Sequence, residues 1–241
     1  MARRLIAAAS AAAMLLGLVA LASAEASTSG AHASAKIDPS NFVSKVDNPY
    51  YPLEPGTTLV YRGVRDGQTQ VDRVSVTRRT KKILGVTCVV VHDVARHNGQ
   101  LLEQTWDWYA QDVDGNVWYF GEDTSSYDAQ GHVASTEGSW QAGVHGAEAG
   151  IIMEAKPQPP DAYRQEYLAG HAEDQAWVLS RGGSLRVPFG VVHRVLLTME
   201  WTPLEPDVID QKSYAPGLGI VRENAVAGGQ ELAELVAVHR G

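Results

Sequence analysis

From residue 42 onward the apolar and polar positions alternate in short runs rich in Val, Thr, Tyr and Trp, and Gly, Asp and Pro break the runs. A two-residue period puts successive side chains on opposite faces of an extended chain, which is the pattern of antiparallel strands. The runs predict strands near residues 57–65, 69–78, 83–95, 101–111, 116–123, 132–136, 163–168, 175–180, 185–187, 191–202, 219–226 and 231–238. Turn pairs occupy the gaps: Asp66-Gly67, Asn98-Gly99, Asp114-Gly115, Gly182-Gly183 and Gly228-Gly229. The basic cluster Arg78-Arg79-Thr80-Lys81-Lys82 reads as a solvated turn between two strands. No window keeps a helical period over three turns. The expected fold is all-β, a strongly curved antiparallel sheet forming a barrel or half-barrel, with residues 42–241 as a single domain.

Before this region the pattern changes. Arg3 and Arg4 precede an apolar run from Leu5 to Leu21, and Ala22-Ser23-Ala24 supplies a small-residue cleavage site. Residues 1–24 read as a secretory signal peptide, and residues 25–41, rich in Ala and Ser, as a flexible lead-in. The run is almost long enough to span a bilayer, but its alanine content and its cleavage pattern favour a leader. No later stretch approaches a membrane span, so the expectation is a secreted or periplasmic protein without stable membrane insertion after cleavage. The lone cysteine, Cys88, excludes an intrachain disulfide framework. It lies in Val86-Thr87-Cys88-Val89-Val90-Val91, a nearly continuous apolar strand, and reads as an inert core thiol.

Charge sharpens the picture. The 241 residues carry a formal charge of −8, which argues against nucleic acid as a partner, since binding phosphates needs a basic surface. Loss of Arg3 and Arg4 with the leader makes the charge −10. Between Arg96 and Lys156 there is neither Lys nor Arg, while ten acids fall in that stretch. Trp106, Trp108, Trp118 and Trp140 fall there too, four of the six tryptophans.

The candidate site follows from pairing strand 101–111 with strand 116–123. A two-residue turn at Asp114-Gly115 sets Asp107 opposite Glu122. A three-residue loop, Val113-Asp114-Gly115, sets Asp107 opposite Gly121 with Asp123 as a diagonal neighbour, and is the preferred register because it gathers Trp118 and Phe120 on the face of Trp106 and Trp108. Either register brings a second carboxylate to Asp107, and opposed like charges want a cation, a shared proton or full exposure. Hard oxygen ligands without a nearby base suit Ca²⁺, with Asp107, Glu122 and Asp123 as its ligands. Carboxylates with indole faces also suit an organic cation, drawing in Trp108, Trp118, Trp140 and Glu166. The Asp112-Val113-Asp114-Gly115-Asn116 stretch departs from a helix-flanked calcium loop and is explained by hairpin geometry. The connection 138–167, with Pro157, Pro159 and Pro160, reads as a long surface excursion or, since it carries Trp140 and His145, as a lid over a cavity.

The stretch 106–124 ending in DWYAQDVDGNVWYFGEDT, with Gly138-Ser139-Trp140, Gly150-Ile151-Ile152-Met153 and Tyr163-Arg164-Gln165-Glu166-Tyr167, resembles a group of exported bacterial β-rich proteins of unassigned function. The segment Tyr214-Ala215-Pro216-Gly217-Leu218-Gly219-Ile220-Val221 is similar to the final strands of half-barrels related to lipoprotein carriers. These resemblances imply a calycin-like or lipoprotein-carrier-like barrel and carry no activity with them. The leading expectation is an exported barrel that binds a small molecule or cation through the Trp-rich acidic hairpin. Two others stand beside it: a secreted or periplasmic hydrolase using paired carboxylates, and an envelope protein that handles lipid or lipoprotein, which requires a wide apolar concavity.

Overall fold

The computed structural model describes residues 37–241, so the expected signal peptide lies outside the described residues. A short 3-10 turn, Pro39–Asn41, opens the described chain, with the Asp38 carboxylate accepting from the Ser40 N–H at its start. The strands follow in chain order: β1 (Phe42–Val43), β2 (Thr58–Arg65), β3 (Gln68–Ile83), β4 (Val86–His97), β5 (Gln100–Asp112), β6 (Val117–Tyr127), β7 (Val133–Ser135), β8 (Trp140–Gln141) and β9 (Glu148–Met153). They continue with β10 (Ala162–Arg164), β11 (Glu166–Tyr167), β12 (Gln175–Arg181), β13 (Ser184–Val187), β14 (Gly190–His193), β15 (Leu196–Trp201), β16 (Ile209–Ala215), β17 (Gly219–Ala227) and β18 (Glu231–His239).

Sixteen of these strands form one antiparallel sheet in the order β10-β12-β15-β16-β17-β18-β2-β3-β4-β5-β6-β9-β11, with β1 alongside β5 and with β7 and β8 alongside β6. Its two terminal strands, β10 and β11, are separated in sequence by Gln165 alone. The chain thus leaves one end of the sheet and joins the other within six residues, and the sheet curls into a nearly closed barrel. Gly150 permits the approach at this seam: a Cβ there would fall 2.4 Å from the Gln165 carbonyl carbon.

Alternation sorts the walls. Tyr61, Asp72, Val74, Val91, Asp93, Asp107 and Tyr109 face inward, because cross-strand partners share a face and the pairs Tyr61↔Asp72, Val74↔Asp93 and Val91↔Asp107 connect them. Residues 44–57 cross one end of the barrel. Asn48 fixes that segment: its Nδ2 donates to the Gly115 and Glu154 carbonyls, and its Oδ1 accepts from the Tyr50 N–H. Val46, Tyr50 and Leu53 are buried there and join the core. Cys88 is fully buried, and burial pushes its thiol up to about 12, as an inert core position requires.

The all-β barrel is the architecture that the alternation predicts, with several departures, among them β16, where no strand was expected. The basic cluster expected as a turn is strand: β3 continues through it over a bulge between Val76 and Thr80, and the reversal falls at Leu84-Gly85, both at positive φ. The strand expected over 191–202 is two strands, parted at Arg194, whose φ is 56°. The connection expected over 138–167 as a surface excursion or lid contributes β8 and β9 to the sheet before reaching β10 and β11, which fall where strand 163–168 was expected and form the seam.

Candidate site inside the barrel

The β5–β6 hairpin combines features of both expected registers. Asp112 closes a three-residue loop, its carboxylate accepting from the Asn116 N–H, from Asn116 Nδ2 and from Trp118 Nε1. The pairs Gln111↔Val117, Ala110↔Trp118 and Tyr109↔Tyr119 follow from that loop. A bulge between Asp107 and Tyr109 then shifts the register by one and sets Asp107 opposite Glu122. Gly121 makes the bulge: its φ is +125°, and a Cβ would lie 2.3 Å from the Trp140 carbonyl oxygen.

Four expected site residues therefore meet inside. Asp107 and Glu122 are both buried, and Asp107 accepts a hydrogen bond from the Tyr119 hydroxyl at 2.7 Å. The Tyr119 ring stands edge-on to Trp140 with centroids 5.3 Å apart, and Trp140 Nε1 donates to Glu166 at 2.8 Å. Chain direction sends the others elsewhere. Trp108 and Trp118 belong to the outer face, where Lys81 Nζ stands 3.1 Å from the centre of the Trp108 ring and Phe42 packs edge-on against Trp118. Asp123 is exposed on that same outer face, opposite Trp106. The metal set Asp107, Glu122 and Asp123 is thus split by the sheet, and among the described residues no group of three His, Cys, Asp or Glu is placed to hold a metal ion. The expectation of Ca²⁺ finds no site there.

Acids from outside the base-free stretch complete the interior. On β15 to β17 they are balanced: Glu200 accepts from Lys212 at 2.6 Å, from Tyr214 at 3.0 Å and from Thr198 at 2.9 Å, and Glu223 lies 3.9 Å from Lys212. Burial works against the Lys212 charge, yet Glu200 and then Glu223 outweigh it and hold the ammonium well above the ordinary lysine range. On β2 to β4 the balance fails. Asp72 is fully buried with neither oxygen hydrogen-bonded, and burial, then the Glu231 charge, push its carboxyl up to about 8. Asp93, with an unpartnered buried Oδ1, is raised well above the usual range by burial and then by Asp72. Arg65 is the cation on this side, 3.8 Å from Glu231.

Between these acids and residues 51–53 lies a cavity of about 40 Å³. Asp93 and Asp107 line it together with Tyr51, Tyr61 and Tyr109, and Tyr51 stands edge-on to Tyr109 at 5.4 Å. That volume holds about three waters or one small ion.

No protein family matches the chain, and no curated protein matches it. Among solved structures it is similar to a candidate exported protein with a YmcC-like fold from Bacteroides fragilis, with TM-score 0.44 and 17% identity over 79% of this chain and 99% of that one. It is also similar to a candidate lipoprotein from Parabacteroides distasonis, with TM-score 0.42 and 12% identity over 80% of this chain and 99% of that one.

Sequence reasoning missed Asp72, Asp93 and the tyrosines of the cavity. Alternation shows that Gln70, Asp72, Val74 and Val76 share a face, but two polar residues at the head of that set do not mark the face as inward. Gly121, a glycine inside a strand, was the available signal for the bulge that brings Asp107 to Glu122.

Proposed function

We propose that the protein is an exported barrel that holds a small monovalent cation of the ammonium or primary-amine class in its interior. The observation that carries this reading is the cavity itself, which Asp93 and Asp107 line together with three tyrosines and apolar side chains, and where Asp93 Oδ1 is shut off from solvent without a hydrogen-bond partner. Carboxylates supply the charge complement and the ring faces attract a cation electrostatically, which together favour an ammonium group over a neutral solute. The leader supports export. The two carboxylates that line the cavity fall short of a calcium coordination shell, which takes six to eight oxygens.

Titration with methylammonium chloride, followed by tryptophan fluorescence and thermal melting, tests the reading. A ligand that binds only the folded state at about a hundred times its Kd adds roughly 2.7 kcal/mol of stability. The melting temperature should rise with methylammonium, stay unmoved by Ca²⁺, and lose its response in Asp107→Asn. Absence of any response to ammonium or methylammonium rejects it.

A second reading, hydrolysis by paired carboxylates, is favoured by an open groove of about 380 Å³ lined by Asp114, Asn116, Glu154, Lys156 and Asp161. Burial, then the neighbouring Asp161, raise the Glu154 carboxyl to about 7, a value suited to general acid work near neutrality. A panel of glycan substrates tests it: turnover that survives Glu154→Gln unchanged removes that residue from any catalytic role.

A further inference from the structure

The interior acids are not independent of the cavity, and resting on the cation-binding reading above, we propose that the barrel exchanges protons for its cation: entry of the ammonium group expels a proton from the Asp93–Asp72 pair to solvent. Three observations converge. Asp93 lines the cavity and Asp72 stands behind it on the adjacent strand, opposite Ala95, so that the two acids occupy neighbouring rungs of the β3–β4 ladder on the same inner face. Asp72 is fully buried, and both its oxygens are without hydrogen-bond partners, a costly arrangement for an ionised carboxylate. The lysine that neutralises the other acids is already engaged, since Lys212 contacts Glu200 and Glu223.

The charges around the pair come from every side. From β5, Asp107 and Glu103 act on Asp93, and Glu103 acts on Asp72 as well. From β2, Arg65 favours an ionised Asp72, while Glu231 on β18 opposes it. The phenols of Tyr51, Tyr61 and Tyr109 line the remaining side, and burial raises all three, so none competes for the proton at neutral pH. With the cavity empty, the acids hold a proton because burial and the neighbouring carboxylates outweigh what Arg65 gives Asp72 and the Val94 backbone N–H gives Asp93. A cation beside Asp93 supplies the missing charge, the O–H bond breaks, and the proton passes to buffer. The exchange balances as one cation in and one proton out, with the interior charge unchanged.

Linkage fixes what an experiment must read. If one proton leaves per cation, the affinity rises tenfold per pH unit wherever the empty site is protonated and the filled site is not. Isothermal titration of the full chain with methylammonium chloride at pH 5.5, 6.5 and 7.5 should show Kd falling about tenfold at each step. Repeating the pH 6.5 titration in two buffers of different ionisation enthalpy should report close to one proton released. A Kd independent of pH, with no buffer dependence, overturns the exchange while leaving cation binding intact. No binding at any of the three pH values instead rejects the underlying reading of the cavity. Asp72→Asn, which leaves the cavity lining untouched, should keep binding and flatten the pH slope; an unchanged slope in that variant overturns the part assigned to Asp72.

Discussion

Asp72 is an acid held where water does not reach it, and that position has a measurable cost. Its carboxyl sits at about 8 in the folded chain, against roughly 3.9 for an unperturbed aspartate. Between those values the folded state keeps a proton that the unfolded chain has shed, so this contribution to stability is complete below the lower value and is lost as pH rises through the upper one. Asp93 and Glu223, also raised by burial, act in the same direction. Each such group contributes about 1.4 kcal/mol per pH unit within its window. Calorimetry without added cation should therefore show the melting temperature falling from pH 5 to pH 8, and Asp72→Asn should melt higher than the parent at pH 8 with a flatter profile. Lys212 is the opposite case, a buried cation with two acidic partners. Lys212→Met strands Glu200 and Glu223, and denaturant melts at pH 7 should record a loss of about 3–5 kcal/mol.

At the scale of elements, the β5–β6 hairpin shows what the sequence could and could not reveal. Its strands, its three-residue loop and the pairing of Ala110 with Trp118 all follow from alternation and turn chemistry. The pairing of Asp107 with Glu122 needs a bulge as well, and bulges depend on a close contact with a third strand, here the Trp140 carbonyl against Gly121. Such a contact has no local signature beyond the glycine. The same limit hid β16, whose inward Lys212 breaks the apolar alternation and makes sense only beside Glu200 and Glu223. Conversely, the basic residues of β3 looked like a turn because nothing nearby in sequence shows that Arg79 and Lys81 lie over Trp106 and Trp108. Gly121→Ala should cost at least about 1–3 kcal/mol, the scale of a forced backbone conformation. Fluorescence of Trp140 should change with it, because the contact at the bulge includes that residue's own backbone.

For the whole molecule, the seam at Gln165 governs more than shape. Open sheets present rows of unpaired backbone groups that template pairing with a second copy, and proteins suppress this by shortening, covering or closing their edges. Here the terminal strands have three and two residues, and one continuous stretch of chain holds both, so that neither edge can part without carrying the other along. Gly150→Val would drive a side chain into the Gln165 backbone and pry this junction apart. Light scattering at 37 °C should then rise with protein concentration in the variant while the parent stays clear. A sheet whose two ends share one short ribbon of backbone keeps its stickiest hydrogen-bonding groups from ever meeting a neighbour.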